Sequence, residues 1–352
     1  MQPFVYNALP ARVIFGSGTL SQVGREIQTL GCGKALVLTG PSQSKKGEVL
    51  KNDLGDLCVG LYSKATMHAP TNITDEAVEL AQSLGADCVV AIGGGSAVGL
   101  AKAIALRTDL PQIVIPTSYS GSEATAILGQ TENGIKTTQK TLKLLPEVII
   151  YDVDLTLTLP AQMTITSGIN AIAHAVESLY STDSNPITDA AAEQGITRLA
   201  GALPVLSEDP QNNKARSDAL FGAWACASCL GVTSMALHHK LCHTLGGTFN
   251  LSHSETHTIL LPHTIAYNAP FATAAMAKAA RIFGSASAAQ GVFDLAKNLG
   301  APYSLKQLGM KEEDLEQAAD VAMKSPYPNP APLEREKILS LLRDAYEGKR
   351  PL

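Results

Sequence analysis

The stretch from residue 87 to residue 106, DCVVAIGGGSAVGLAKAIAL, decides the fold class. It joins an apolar, β-branched run to a glycine-rich turn and then to an alanine-rich segment of helical period. That pattern is typical of a buried parallel strand entering a crossover helix. Three further runs in the first half have the same strand character: KALVLTG (34–40), QIVIPTS (112–118) and EVIIYD (147–152). We therefore expect an α/β sheet of parallel strands.

Helix signals lie between these runs and dominate the rest of the chain. The segment TDEAVELAQSLG (74–85) predicts a helix that is capped by Thr74 and ends at Gly85. After LTLP (157–160) the β-branched runs stop, and alanine-rich segments such as GINAIAHAVESLYS (168–181) continue to the C-terminus. The sequence thus predicts an α/β domain over residues 1–156 and an all-helical domain over 157–352.

Composition and charge exclude several classes of protein. The chain has 352 residues, of which 45% are hydrophobic and 17% charged, which is typical of an ordinary globular protein with two domains. A net charge of -5 gives no general attraction to nucleic acid or to an anionic membrane surface, so neither is expected as a partner. No apolar run reaches the roughly 20 residues that span a bilayer, and the six cysteines lie in apolar segments. We expect reduced thiols and a cytoplasmic location.

Two polar turns follow predicted strands and indicate a nucleotide site. Three consecutive glycines allow close approach of backbone N–H groups to a diphosphate at the start of a helix. The second turn, residues 116–123, carries several hydroxyl groups, and two such turns at the carboxyl ends of strands in one sheet favour a nucleotide. A tight strand-to-helix turn is the alternative, since neither G-x-G-x-x-G nor a P-loop pattern is present. The predicted cofactor-binding residues of the two turns are Gly93, Gly94, Gly95, Ser96, Thr117, Ser118, Ser120, Ser122 and Thr125.

Histidines are concentrated in the second half of the chain. Seven of the eight lie between His174 and His263, and six of these fall between His238 and His263. Asn170 and His174 are four residues apart in a helical segment and share a face, and the same holds for His239 and His243. With His253 in a predicted loop, the pattern indicates a site formed by two helices and a loop. A set of histidines that only pack in the core is the alternative.

The order of these motifs resembles a known family. GGGS, PTSYSGSEAT (116–125), a helical H-A-x-E segment (174–177), H-x-x-x-H (239–243) and a further histidine occur in the order typical of the group III, iron-containing alcohol dehydrogenases. Within that family, ALHHKLCHTLGGTFNLSHSETH (236–257) is most similar to the maleylacetate reductases. The resemblance implies a Rossmann-like nucleotide domain followed by an all-helical domain, the architecture shared with dehydroquinate synthase. It also implies a homodimer.

The resemblance carries an expected activity. Maleylacetate reductases use NADH or NADPH to reduce the carbon–carbon double bond of maleylacetate, a small dicarboxylate, giving 3-oxoadipate in the degradation of aromatic compounds. Two alternatives stay open at this point. One is an alcohol or polyol dehydrogenase of the same family that depends on iron or zinc. The other is a lyase of the dehydroquinate synthase type, which uses NAD only transiently.

The family's site residues can be transferred position by position. Its metal is held by an aspartate and three histidines, which fall here on Asn170, His174, His239 and His253. An amide in place of the anionic carboxylate weakens a site for a divalent ion, so no metal is expected. His243 matches the family histidine beside the nicotinamide, and we predict His243 and His253 as the catalytic pair that polarises the carbonyl and supplies a proton. The predicted substrate-binding residues are Asn170, His174, His238, His239, Lys240 and His257.

The cofactor positions show two departures from the family pattern. Gly99 replaces the aspartate of G-G-G-S-x-x-D, and Gly40 replaces the acidic residue that follows the first strand and accepts from the adenosine ribose. Without that negative charge a 2′-phosphate is not repelled, so we predict Gly40 at the ribose and use of NADPH as well as NADH. Lys136 matches a family lysine that contacts the nucleotide ribose.

Overall fold

A computed structural model describes residues 4–67, 69–132, 135–324 and 327–352, with the side chains of 131, 132 and 135–137 left out. It divides into two compact units. The α/β unit is Ala8–Leu159, and the helical unit is Pro160–Leu352 with the described residues before Ala8. The predicted fold class, a parallel α/β unit followed by helices, is confirmed. The boundary predicted after residue 156 lies three residues before this division.

The α/β unit contains a six-stranded sheet in the order β1-β8-β5-β4-β2-β3, and every pairing in it is parallel. β2, β4, β5 and β8 are buried along their whole length, which explains their continuous apolar sequences. β6 and β7 form a separate antiparallel hairpin. The strands are β1 (Arg12–Gly16), β2 (Ala35–Leu38), β3 (Cys58–Tyr62), β4 (Cys88–Gly93), β5 (Gln112–Pro116), β6 (Ile127–Glu132), β7 (Ile135–Lys140) and β8 (Val148–Asp152).

The helices of this unit are α1 (Val23–Thr29), α2 (Ser44–Leu54), α3 (Thr71–Ser83) and α4 (Gly95–Thr108). The predicted start of α3 at Thr74 was wrong, because the helix begins three residues earlier, after Pro70. Thr74 is buried, and its hydroxyl donates to the Pro70 carbonyl within the first turn instead of capping it. Proline just before the first turn is pre-set for helix entry, and this signal outweighed the threonine.

The helical unit is built around α5, which is buried from Thr164 to Leu179. α6 begins with a capping box, in which Asn185 accepts from the Thr188 backbone and Thr188 accepts from the Asn185 backbone. A second core joins α8, α9, α12 and α13. The helices are α5 (Ala161–Leu179), α6 (Pro186–Glu208), α7 (Asn213–Val232), α8 (Leu237–Phe249), α9 (His253–Asn268), α10 (Thr273–Ile282), α11 (Ala288–Asn298), α12 (Asp314–Ala322) and α13 (Arg335–Glu347).

None of the described helices by itself combines the length and the apolar composition needed to span a membrane. α7 and α8 together have the necessary length and composition, but the pair is bent by 96° at its junction.

Candidate active site

The two polar turns of the α/β unit lie in contact. Gly94 caps α4 directly after β4, and a Cβ atom built there would lie 3.1 Å from the Ser118 hydroxyl oxygen. A Cβ at Gly95 would lie 3.5 Å from the Ser120 hydroxyl oxygen. Side chains on these glycines would therefore fill the space between the turns. The N-terminus of α4 carries no side-chain cap, so its N–H groups can bind an anionic group such as a diphosphate.

The other predicted cofactor residues differ in whether their polar groups are already hydrogen-bonded within the protein. The Thr117 hydroxyl accepts from Gln43 at 3.0 Å, and a Cβ at Gly40 would lie 3.3 Å from the Ala65 carbonyl oxygen. The Thr125 hydroxyl is bonded inside its own turn, because it donates to the Ser122 carbonyl. Lys136 belongs to β7, but its side chain lies outside the described part of the chain.

Lys102 holds the second turn in place, a role that the sequence analysis did not predict. Its ammonium group is fully buried and donates to the carbonyls of Ser122, Thr125 and Ile127 at 2.6 to 2.9 Å. Burial lowers the pKa of Lys102 to about 7. The signal in the sequence was a lone lysine on the apolar face of an alanine-rich helix.

The predicted histidine cluster is present in the helical unit. α5 contributes Asn170 and His174, α8 contributes three histidines, and α9 contributes two. The expectation that His253 lies in a loop was wrong, because it is the first residue of α9. Ring centroids within the cluster are 4.4 to 6.1 Å apart, and the histidines that these distances join are His174, His238, His239, His243, His253 and His257.

A buried carboxylate, Glu177, begins one chain of hydrogen bonds through the cluster. His239 Nδ1 lies 2.5 Å from Glu177 Oε2, and His239 Nε2 lies 2.9 Å from His174 Nδ1. His174 Nε2 in turn lies 3.4 Å from the amide nitrogen of Asn170. The amide oxygen of Asn170 is buried and has no hydrogen-bond partner among the described residues. The four side chains are nine-tenths buried or more.

A second chain passes through His238. The Thr264 hydroxyl donates to backbone carbonyls of its own helix, so it accepts from His238 Nδ1 at 3.2 Å. His238 Nε2 then accepts from His257 Nδ1 at 2.9 Å. His257 Nε2 is left as a buried acceptor that no described residue reaches with a hydrogen bond. Because both ring nitrogens of His238 are bonded within the protein, the structure gives this residue a supporting position.

Burial divides the histidines by charge. It lowers the pKa of His238 and of His257 well below the ordinary value, so both rings are neutral at pH 7. His243 and His253 are exposed. His238 and His257 therefore contribute no positive charge at pH 7, and the exposed members of the cluster are His243 and His253.

Lys240 lies apart from this cluster among the described contacts. Its ammonium group donates to the Lys324 carbonyl at 2.8 Å and stands 5.6 Å from the centre of the Tyr327 ring. The structure thus directs Lys240 toward the segment that follows α12, and it does not bring Lys240 together with the other predicted substrate-binding residues.

The residues at the family's metal positions do not fit a divalent ion as they are arranged. Asn170 offers no charge, and the facing nitrogens of His174 and His239 are hydrogen-bonded to each other. Among the described residues, His174, His239 and His253 do not form a group of close ligand atoms, whereas His238, Cys242 and His257 do. In that second group, burial raises the pKa of the Cys242 thiol well above its ordinary value, which disfavours the thiolate that binds metals.

Glu177 is the principal residue of the site that sequence reasoning missed. The motif H-A-x-E (174–177) was noted as part of a family pattern, and its glutamate received no role. The available signal was its position three residues after His174, in a segment rich in alanine and isoleucine, because a buried carboxylate needs a partner.

Comparison with known proteins agrees with the geometry. The family model described as iron-containing alcohol dehydrogenase matches residues 10–153, and the C-terminal model of the same family matches 164–346. With this nucleotide turn and this histidine cluster, the chain belongs to the iron-containing alcohol dehydrogenase family and is an oxidoreductase. Within the family it groups with maleylacetate reductases. One from Sphingobium indicum is 53% identical over 349 residues, which is 99% of each chain.

Solved structures give the same grouping. A maleylacetate reductase from Agrobacterium tumefaciens has a TM-score of 0.97 and 52% identity, with 100% of both chains covered. A putative alcohol dehydrogenase from Ralstonia eutropha has a TM-score of 0.99 and 52% identity, also with 100% of both chains covered.

Proposed function

We propose that this chain is a maleylacetate reductase, which uses NADH or NADPH to reduce the carbon–carbon double bond of maleylacetate to 3-oxoadipate in the degradation of aromatic compounds. The observation that carries the proposal is identity of about half with curated maleylacetate reductases along the whole chain. The buried histidine chains of the helical unit support it, because they supply a site of oriented imidazoles with two exposed histidines beside it.

The reaction sets clear demands on the protein. A bound NADH or NADPH would supply the hydride, which would add to the alkene carbon next to the C1 carboxylate while the electron pair of the double bond moves toward the ketone oxygen. A proton must then be added to the carbon alpha to the ketone. Pre-organised donors at the oxygen that gains charge are typically worth about 3–4 kcal/mol each.

His243 and His253 are our assignment for these two tasks. Both are exposed, and an imidazole that solvent reaches can take up a proton from water and pass it to a substrate. His238 and His257 are neutral by burial, which suits them to shaping the pocket. Asn170, His174 and His239 support them from the chain that begins at Glu177.

We propose that the reaction requires no metal. Asn170 stands where the family has its anionic ligand, and the hydrogen bond between His174 and His239 occupies nitrogens that a cation would need. Activity after exhaustive chelation, together with metal analysis of the same sample, tests this point. Loss of all turnover on chelation, restored by iron or zinc, would instead identify a metal-dependent alcohol dehydrogenase.

The cofactor assignment rests on Gly40. No acidic side chain stands at this position to repel a 2′-phosphate, and a Cβ there would lie 3.3 Å from the Ala65 carbonyl oxygen. We expect NADH and NADPH both to serve. The variant Gly40→Asp should lower kcat/KM for NADPH more than for NADH, and an unchanged ratio of the two values would refute the assignment.

Steady-state NADH oxidation tests the function directly. We expect turnover with maleylacetate and little with a panel of simple aldehydes. His243→Ala should lower kcat by roughly 10²–10⁴-fold, the usual contribution of a general acid or base. If aldehydes are the better substrates, the proposal fails. If NADH is not consumed with any carbonyl or enone, a lyase that uses the cofactor transiently becomes the better assignment.

We also propose a homodimer in the cytoplasm. All six cysteines are free thiols, as is usual in a reducing compartment. The exposed apolar side chains of Phe4 and Val5 support burial of the N-terminal segment in a partner chain. Light scattering on the purified protein tests the dimer, with a mass of one chain as the contradicting result.

A further inference from the structure

The proposed reaction assigns no step to Glu177. Its carboxylate is fully buried, and it touches the helix that carries the histidines rather than a lysine or arginine in any described contact. A buried carboxylate needs several donors to offset its loss of hydration. The number and direction of those donors determine what the residue can do.

Four donors surround the carboxylate. Oε1 accepts from the His238 backbone N–H at 2.9 Å and from the Tyr180 hydroxyl at 3.3 Å. Oε2 accepts from the Ala236 backbone N–H at 3.1 Å and lies 2.5 Å from His239 Nδ1. The backbone groups belong to the N-terminus of α8, where the helix dipole favours negative charge. Glu177 therefore caps α8 from another helix, since Ala236 itself provides no side-chain cap.

The same contacts give the histidine chain a direction. A carboxylate only accepts, so His239 Nδ1 carries a proton, and in a neutral ring Nε2 is then an acceptor. His174 must then donate from Nδ1, which leaves His174 Nε2 as an acceptor for the amide N–H of Asn170. The amide oxygen of Asn170 is thereby turned away from the chain and remains an unpaired acceptor.

We propose that Glu177 is a positioning residue, which fixes His239 and His174 in the Nδ1–H tautomer through a chain that ends on Asn170. The amide at position 170 completes this chain because it supplies a donor, which an aspartate cannot. The tautomers, and not only the ring positions, are set from Glu177. The effect on turnover rests on the proposed function, but the tautomers themselves do not.

Nitrogen-15 NMR of the full chain, labelled at histidine, measures the tautomers directly. Long-range correlations distinguish Nδ1–H from Nε2–H rings, and His239→Gln and His174→Gln assign the signals by deletion. We expect both rings as Nδ1–H in the unaltered protein. An Nε2–H signal for His239 there overturns the proposal, whether or not any variant folds and whatever the substrate proves to be.

The variant Glu177→Gln tests the control that Glu177 exerts on the chain. Its amide keeps one acceptor oxygen but presents a donor to His239 Nδ1, so His239 and then His174 should leave the Nδ1–H form. We expect kcat with maleylacetate to fall roughly ten- to hundredfold, as when other partners that orient functional histidines are lost, with KM for NADH unchanged. Unchanged tautomers in this variant overturn the proposal.

A matched control separates this role from helix capping. Asn329 also caps α8, since its side-chain oxygen accepts from the Leu237 N–H at 3.3 Å. Asn329→Ala should lower the melting temperature as Glu177→Gln does, while both histidine tautomers remain Nδ1–H. If Asn329→Ala changes the tautomers equally, Glu177 acts only through the stability of α8 and the proposal is wrong.

Discussion

At the scale of single residues, the site depends on what each polar atom can donate or accept. Asn170 and an aspartate have nearly the same shape, yet only the amide can donate to His174 Nε2. An asparagine in place of an aspartate therefore removes an anionic ligand for a cation and supplies the donor that ends the hydrogen-bond chain. His257 shows the same logic, because its bond to His238 leaves a bare acceptor, Nε2, inside the protein. A group that binds to Asn170 Oδ1 or to His257 Nε2 must be a hydrogen-bond donor, and an ionised carboxylate of the substrate is not one.

The variant Asn170→Asp should reverse this exchange. It restores a negative charge beside His174 and removes the amide N–H group that hydrogen-bonds to His174 Nε2. A divalent cation therefore gains an anionic ligand, and the amide N–H group no longer competes with it for that nitrogen. We expect zinc to bind at least about tenfold more tightly than to the unaltered chain, which corresponds to about 1.4 kcal/mol. Isothermal titration with zinc measures this. Asn170→Ala is the control and should show no gain, and equal affinity in all three proteins would count against the argument.

At the scale of elements, the decisive unit is β4, its glycine turn and α4. The turn must let a phosphate approach the backbone while Ser118 and Ser120 stand on its other side. Gly93 has φ of +153°, which L side chains rarely adopt, so glycine is required there by conformation. Gly94 has an ordinary φ of -83°, so glycine is needed there because a side chain would fill the space between the turns.

Gly94→Ala should therefore impair the cofactor without unfolding the unit. The added methyl group would lie 3.1 Å from the Ser118 hydroxyl oxygen, in the gap between the two turns. We expect KM for NADH to rise about tenfold with a change in stability below about 1 kcal/mol. Gly99→Ala, in the same helix, would place its methyl group 3.8 Å from the Ala69 Cβ, an ordinary contact. It should leave KM unchanged, and a similar rise in both variants would contradict the spatial argument.

At the scale of the whole molecule, local signals were predictable from the sequence and long-range partners were not. The parallel strands and the helical second half follow from periodicity, and the pairs 170/174 and 239/243 follow from helical spacing. Glu177 and His239 are 62 residues apart, so no local pattern could join them. The contact of Lys240 could not be predicted for the same reason, because its partner carbonyl is 84 residues away.

Burial of several neutral imidazoles makes the molecule sensitive to acid. Burial lowers the pKa of His263 to about 4, and those of His238 and His257 well below 6.5. Below about pH 6.5 the unfolded chain binds protons on these rings while the folded chain does not, so the free energy of unfolding falls as the pH drops. For His263 alone, the difference between 6.5 and about 4 corresponds to roughly 3 kcal/mol.

Urea unfolding at several pH values between 7.5 and 4.5 measures this loss. We expect the contribution of these histidines to the free energy of unfolding to be nearly constant above pH 7. It should decline steeply from pH 6.5 downward. His263→Leu removes one titrating ring, so its curve should decline less steeply over the same range, whatever its absolute stability at pH 7.5. Since His263 takes no part in the hydrogen-bond chains described above, turnover at pH 7.5 should be retained. Parallel curves for the two proteins would show that His263 binds protons equally in the folded and unfolded states, which would contradict its burial as the source of the effect.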